Sequence, residues 1–174
     1  KSYLTATNEY EKAALIRALS KSISSFPFIT KELDSTKSLV IKTTAAQAIV
    51  DINRDKEFPS ALKAEFAKLY LKAIESGDPG VIGIIAGAIA DSTLGYRAII
   101  KDVRMVEAAR AKLSLPKDIE ALQPLTDALA YLRGGERSKP LSNSYNHPID
   151  WALVKSIDRN QKVKISTTKG DIII

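Results

Sequence analysis

Up to Arg133, apolar residues recur three and four positions apart; only after Asn160 do they recur two apart. The first spacing predicts amphipathic helices and the second predicts strands. Asn8 and Glu11 have the spacing of a capping box, and Tyr10, Ala14, Leu15, Ala18 and Leu19 then follow at helical intervals. A short segment, "SFPFITKELD", comes next, with Pro27 near its start. Ser35 or Thr36 is expected to cap the following helix, whose apolar stripe is Ile41, Ala45, Ala48, Ile49 and Ile52. In "DKEFPSALKAEFAKLYLKAIESG" Pro59 suits a first helical turn. Leu62, Phe66, Leu69, Tyr70 and Ala73 line one face, and Gly77 closes the helix.

The same grammar returns in "GDPGVIGIIAGAIADS", with Asp78 as the cap and Pro79 at the first position. This segment is apolar nearly all the way round, so neighbouring helices must cover it on several sides. Gly83 and Gly87, four apart, would let another backbone come close. Two more helices are expected. One spans Tyr96 to Leu113, with Ile99, Val103, Val106 and Leu113 inward. The other spans Lys117 to Arg133, with Leu122, Leu125, Leu129 and Leu132 inward and Pro124 kinking or dividing it. "RGGERSKPLSNSYNHP" has the composition of a linker. "IDWALVKSI" then allows a short helix, in which Trp151, assisted by Tyr145, is expected to anchor the connecting segment.

Helix pairs that recur at intervals of roughly forty residues cannot each bury their own apolar face, so successive pairs stack. "SGDPGVIGIIAGAIAD" and "SLVIKTTAAQAIVDI" resemble halves of HEAT units, and the resemblance covers about Thr5 to Arg133. The fold class expected is all-α: a HEAT- or armadillo-like α-solenoid or an irregular helical bundle, with a short β-hairpin tail. The domains expected are a helical-repeat domain over 1–133, a linker with a short helix over 134–160, and the first strands of a β domain over 161–174.

In "NQKVKISTTKGDIII" Val163 and Ile165 alternate with Lys162, Lys164 and Ser166, and Lys169–Gly170 sits where a hairpin turn wants a positive φ. Ile172, Ile173 and Ile174 suit a strand buried on both faces. The expectation is therefore that the rest of a β domain lies downstream. Val163, Ile165, Thr167, Gly170, Ile172 and Ile174 resemble the opening of the cyclophilin fold, "V-x-I-x-T-x-x-G-x-I-x-I". That resemblance implies a parent protein that catalyses peptidyl-prolyl cis–trans isomerisation in protein folding, as in bacterial proteins that join helical repeats to such a barrel. Its implied partners are protein clients containing X-Pro bonds and an intramolecular cyclophilin-type domain. The family's "F-H-R" and "Q-G-G" motifs are absent from these 174 residues. No catalytic residue is carried over, and the chain alone is expected to be inactive.

Composition narrows the chemistry further. No cysteine is present, which excludes disulfides, thiolate catalysis and zinc–cysteine sites. His147 is the one histidine, so a histidine-based metal cluster is excluded; before Pro148 it reads as a turn residue rather than a base. Neither a phosphate-binding glycine loop nor a G-x-S-x-G elbow occurs. The carboxylates of Glu9 and Glu11, and of Asp118 and Glu120, are two apart and diverge on a helix. No catalytic, cofactor-binding or metal-binding residue is assigned.

The formal charge of +6 brings in a basic helical-repeat nucleic-acid binder as an alternative, beside a scaffold or adaptor with an unrelated β domain. Lys and Arg alternate with Glu and Asp along the helices, so solvated faces are favoured over a nucleic-acid stripe. Lys155, Arg159, Lys162, Lys164 and Lys169 are read as keeping a strand edge soluble. The apolar run Val81–Ala90 is about half the length a bilayer span needs. Location is left open, with the cell envelope or periplasm placed slightly ahead of the cytoplasm.

Overall fold

The computed structural model describes residues 2–142 and 148–174. These fall into two compact units, Lys1–Asn143 and Ser144–Ile174. The chain is mostly helical, with eight α-helices among the described residues and a two-stranded antiparallel hairpin near its C-terminal end.

The first unit contains α1 (Glu9–Leu19), α2 (Phe26–Ser35), α3 (Leu39–Asn53), α4 (Lys63–Glu75), α5 (Pro79–Ala90), α6 (Arg104–Ala111) and α7 (Ile119–Leu132). Helices α3, α5 and α7 begin at Leu39, Pro79 and Ile119, a repeat of about forty residues. Each follows a polar cap residue: Ser38, Asp78 or Asp118. The Ser38 hydroxyl accepts from the Ile41 amide at 3.3 Å and the Asp78 carboxylate from the Val81 amide at 3.1 Å. Asp118 instead turns back to accept from the Ser114 amide at 2.9 Å. Helix α1 packs on α3, α3 on α5 and α5 on α7. Helices α2, α4 and α6 lie against α3, α5 and α7 in turn, and α4 also meets α6.

Helix α5 explains this arrangement. From Val81 to Ala90 none of its residues is exposed, and Val81, Ile82, Ile85, Ala86, Ala88 and Ile89 are fully buried. A helix with no polar face needs neighbours around it, and α3, α4 and α7 supply them. Its approach to α7 is close at Gly83. A Cβ placed on Gly83 would lie 3.0 Å from the Glu120 carbonyl oxygen. That carbonyl is the one Pro124 leaves without its i−4 donor, because proline has no N–H. Helix α7 runs through Pro124 undivided. Gly87, in contrast, has nothing within 4 Å of its Cβ position.

Several expectations are revised. Ser35 belongs to α2, so the cap of α3 moves to Ser38. In α1 the buried residues are Ala13 and Ile16, whereas Tyr10, Ala14 and Ala18 are exposed; the face turned to α3 lies round the helix from the stripe read in sequence. Pro59 precedes a 3₁₀ turn, Ser60–Leu62, and α4 starts only at Lys63. The single helix expected over Tyr96–Leu113 is a 3₁₀ turn, Tyr96–Ala98, followed by α6. Gly95 enters with φ +73°, and the Asp102 carboxylate takes the Arg104 amide at 3.0 Å, a local bond that competes with helix between them.

The second unit carries α8 (Trp151–Ser156), β1 (Lys164–Thr167) and β2 (Gly170–Ile173). Asp150 caps α8 through the Leu153 amide at 2.9 Å. The strands pair Lys164 with Ile173, Ile165 with Ile172, Ser166 with Asp171 and Thr167 with Gly170; reciprocal 3.0 Å bonds between Val163 and Ile174 extend the ladder. The turn is Thr168–Lys169, and Gly170, at φ +126°, already belongs to β2.

The glycine geometry gives two substitutions of opposite sign. Gly83→Ala should lower unfolding stability by about 1–2 kcal/mol, because the new methyl meets a backbone oxygen that cannot swing away. Gly87→Ala should raise it by about 0.5–1 kcal/mol through helix propensity alone. Urea denaturation of the two variants beside the unmodified chain checks both. Equal effects would remove the close approach as their cause.

Candidate interaction site

Three features of the helical unit bring polar chemistry together: a buried amide between two phenols, an extended segment laid on α7, and a cleft beside that segment. At the end of α3, Asn53 is 3 % exposed and donates from Nδ2 to the hydroxyls of Tyr70 and Tyr96 at 3.0 and 2.8 Å. Tyr70 comes from α4 and Tyr96 from the turn after α5, so one amide ties three elements. The aromatic rings continue outward: Tyr96 to Tyr70 at 5.1 Å, Tyr70 to Phe66 at 6.2 Å, and Phe66 stacked on Phe26 at 4.4 Å. Burial raises the Tyr70 phenol well above its ordinary range, helped by the adjacent Tyr96, and pushes Tyr96 up to about 12. Burial and the hydrogen bond to Glu32 raise Tyr3 as well.

The second feature begins where α7 ends. Gly134, at φ +88°, reverses the chain, and Gly135 donates to the Ala130 carbonyl at 2.9 Å. A Cβ on Gly135 would sit 3.3 Å from that same oxygen. Arg97 holds the corner: its guanidinium stacks over the Tyr131 ring at 4.4 Å and donates to the Tyr131 and Gly135 carbonyls at 2.6 and 3.4 Å.

The chain then runs back along α7 with neither helix nor strand. The Ser138 amide donates to Asp127 Oδ1 at 3.1 Å, and the Leu141 amide donates to Gln123 Oε1 at 2.6 Å. The Ser138 hydroxyl also bonds Asp127 Oδ1 and accepts from Gln123 Nε2 at 2.9 Å. Gln123 Nε2 reaches Asp127 Oδ1 at 3.2 Å, and Arg137 pairs with Asp127 Oδ2 at 3.6 Å. Gln123 and Asp127 are one helical turn apart, so they form a short ladder of acceptors on one flank of α7. Asp127 is 9 % exposed, and Ser138 and Leu141 are half-buried.

Beside the segment lies a cleft of about 530 Å³, walled by Arg54, Asp91, Asp127, Tyr131, Gly135 and Arg137. Arg54 pairs with Asp91 across it at 3.3 Å, and the Thr93 hydroxyl, the largest influence, lowers the Asp91 carboxyl below its usual range.

The remaining residues singled out in the sequence are dispersed. His147 and Tyr145 lie outside the described residues. Trp151 is 60 % exposed. Glu9 accepts from the Ser38 hydroxyl and so ties α1 to the cap of α3, and Asp118 accepts from Ser114 within one turn. Lys164 pairs with Asp171 at 2.6 Å across the hairpin. Ile172, Ile173 and Ile174 are 52 %, 64 % and 74 % exposed. Among the described residues, no group of three His, Cys, Asp or Glu side chains is placed to hold a metal ion, and no helix is long and apolar enough to cross a membrane. Comparison with family models, curated proteins and solved structures finds no match to this chain.

The phenol cluster predicts a pH response. A phenol whose pKa is higher folded than unfolded favours the native state while it stays neutral. Its contribution is complete below pH 10, the ordinary phenol value, and disappears as pH rises toward about 12. Tyrosinate absorbance should therefore show a normal phase from exposed tyrosines and a late phase coincident with loss of helical circular dichroism. Tyr96→Phe should shrink the late phase. A single normal phase in the folded protein would refute the buried cluster.

Proposed function

We propose that this chain is a helical-repeat protein-interaction module of a cyclophilin-type peptidyl-prolyl cis–trans isomerase. Two arrangements support the reading. In the helical unit, α3, α5 and α7 recur at about forty residues and pack in sequence, each with a partner helix, as stacked HEAT-like pairs would. The observation that carries the isomerase part is the hairpin register. Cross-strand pairing of Ile165 with Ile172, bounded by Val163–Ile174 and Thr167–Gly170, puts every residue of the cyclophilin-like pattern on one face of the hairpin. That face carries Val163, Ile165, Ile172 and Ile174, while Lys164, Ser166 and Asp171 share the other with Ile173; a barrel strand pair turns one such face inward.

The isomerised bond has a barrier of about 18–20 kcal/mol from amide resonance. Lowering it requires the arginine and the apolar proline pocket of a complete barrel, and this chain supplies scaffold only. Its role is to present a surface to proline-containing clients or to position the catalytic domain. Several basic side chains on the helical unit are paired with acids: Arg54–Asp91, Lys72–Asp34 and Arg133–Glu107. That pairing favours a protein partner over nucleic acid.

In a protease-coupled assay on an X-Pro peptide, the full-length gene product should accelerate cis–trans conversion, while this chain alone should not. A full-length product with neither the activity nor the two missing motifs would leave an adaptor with an unrelated β domain. DNA affinity that falls steeply with added salt would instead make the helical unit a nucleic-acid binder.

A further inference from the structure

We propose that the Gln123–Asp127 flank of α7 is a binding site for extended protein segments of the form basic–Ser–x–Pro–apolar, and that residues 137–141 of this chain occupy it as a built-in competitor. The inference stands apart from the isomerase reading, since it uses only the helical unit.

The contacts are those of peptide recognition. Two side-chain acceptors one turn apart on a helix receive the backbone amides of Ser138 and Leu141, three residues apart on the segment. Three residues is one turn of an extended polyproline-type chain, so both amides face the helix on the same side. Between them stands Pro140, which has no amide to satisfy and whose fixed φ reduces the entropy lost on docking. Ser138 fits because its hydroxyl both donates to Asp127 and accepts from Gln123. The basic position is set by Asp127 Oδ2, which pairs with Arg137 where the cleft opens. The apolar position is Leu141, half-buried at the far end.

The segment is held by exchangeable polar bonds rather than by burial. Glu136, Arg137, Lys139 and Pro140 are all exposed. When it lifts, Asp127, 9 % exposed with the segment in place, loses its Ser138 and Arg137 partners. An extended chain offering an amide and a cation at the same spacing restores those charge-assisted bonds. A tethered competitor acts at an effective concentration on the order of millimolar, so it sets a threshold that an outside ligand must exceed.

The test uses the whole chain and two labelled synthetic peptides, Glu-Arg-Ser-Lys-Pro-Leu-Ser and the same peptide with proline replacing its first serine. In the chain, Ser138→Pro removes both the amide and the hydroxyl and disengages the segment. This variant should bind the first peptide at least tenfold more tightly than the unmodified chain does, and the second peptide not at all. A variant that binds neither peptide at about 1 mM, or both equally, overturns the proposal. Should the variant fail to fold, hydrogen exchange on the unmodified chain decides. The Ser138 and Leu141 amides should be protected, and excess first peptide should speed their exchange. Protection that persists in excess peptide overturns the proposal equally.

Discussion

Helix α5 cannot face water on any side, and the helical unit is built around satisfying it. Its twelve residues carry no charged side chain, so the free energy of burying it is recovered only when α3, α4 and α7 close round it together. Two of these, α3 and α7, begin about forty residues before and after it, and α4 directly precedes it in the chain. The closing of all three helices round it is thus a requirement of α5 itself. The contact with α7 brings together two residues that are poor helix formers in isolation. Pro124 leaves the Glu120 carbonyl without its intrahelical donor, and Gly83 offers that oxygen a surface without a side chain. Each residue weakens its own helix and strengthens the joint between the two.

What could be read from the residues was local. Asp78 and Pro79 announce the start of α5, Gly77 announces the end of α4, and the alternation after Asn160 announces the hairpin, because each of these signals acts within a few residues of itself. The errors arise where one local bond outcompetes another. Asp102 captures the Arg104 amide and interrupts what apolar spacing alone reads as one helix. In α1 the stripe of Tyr10, Ala14 and Ala18 gives way to Ala13 and Ile16, because the direction of α3 decides which face is inward. Periodicity finds a helix more readily than it finds the side on which a neighbour will lie.

The candidate site was harder to read for a related reason. Glycine, proline and small polar residues after Arg133 describe a stretch with no repeating structure of its own. That composition carries no information about whether acceptors wait elsewhere. Gln123 and Asp127 lie on a helix whose leucines dominate its pattern, and nothing in their spacing from Ser138 and Leu141 marks the pairing. Asn53 is similarly silent: as a polar residue at the end of an apolar stripe it looks like a helix terminus, and its two phenol partners are 17 and 43 positions away. Signals for such contacts exist only in three dimensions.

The amide of Asn53 has a consequence for how the molecule comes apart. Stacked repeats ordinarily interact only with their nearest neighbours, so they can fray one unit at a time from either end. Here a single side chain at the close of α3 is bonded to rings from α4 and from the turn beyond α5. Opening α3 takes the donor from both phenols, and opening either of the other two costs the Asn53 amide one of its two bonds in a dry interior. That bonding couples the opening of α3 to that of α4 and of the turn after α5, and works against their coming apart one at a time.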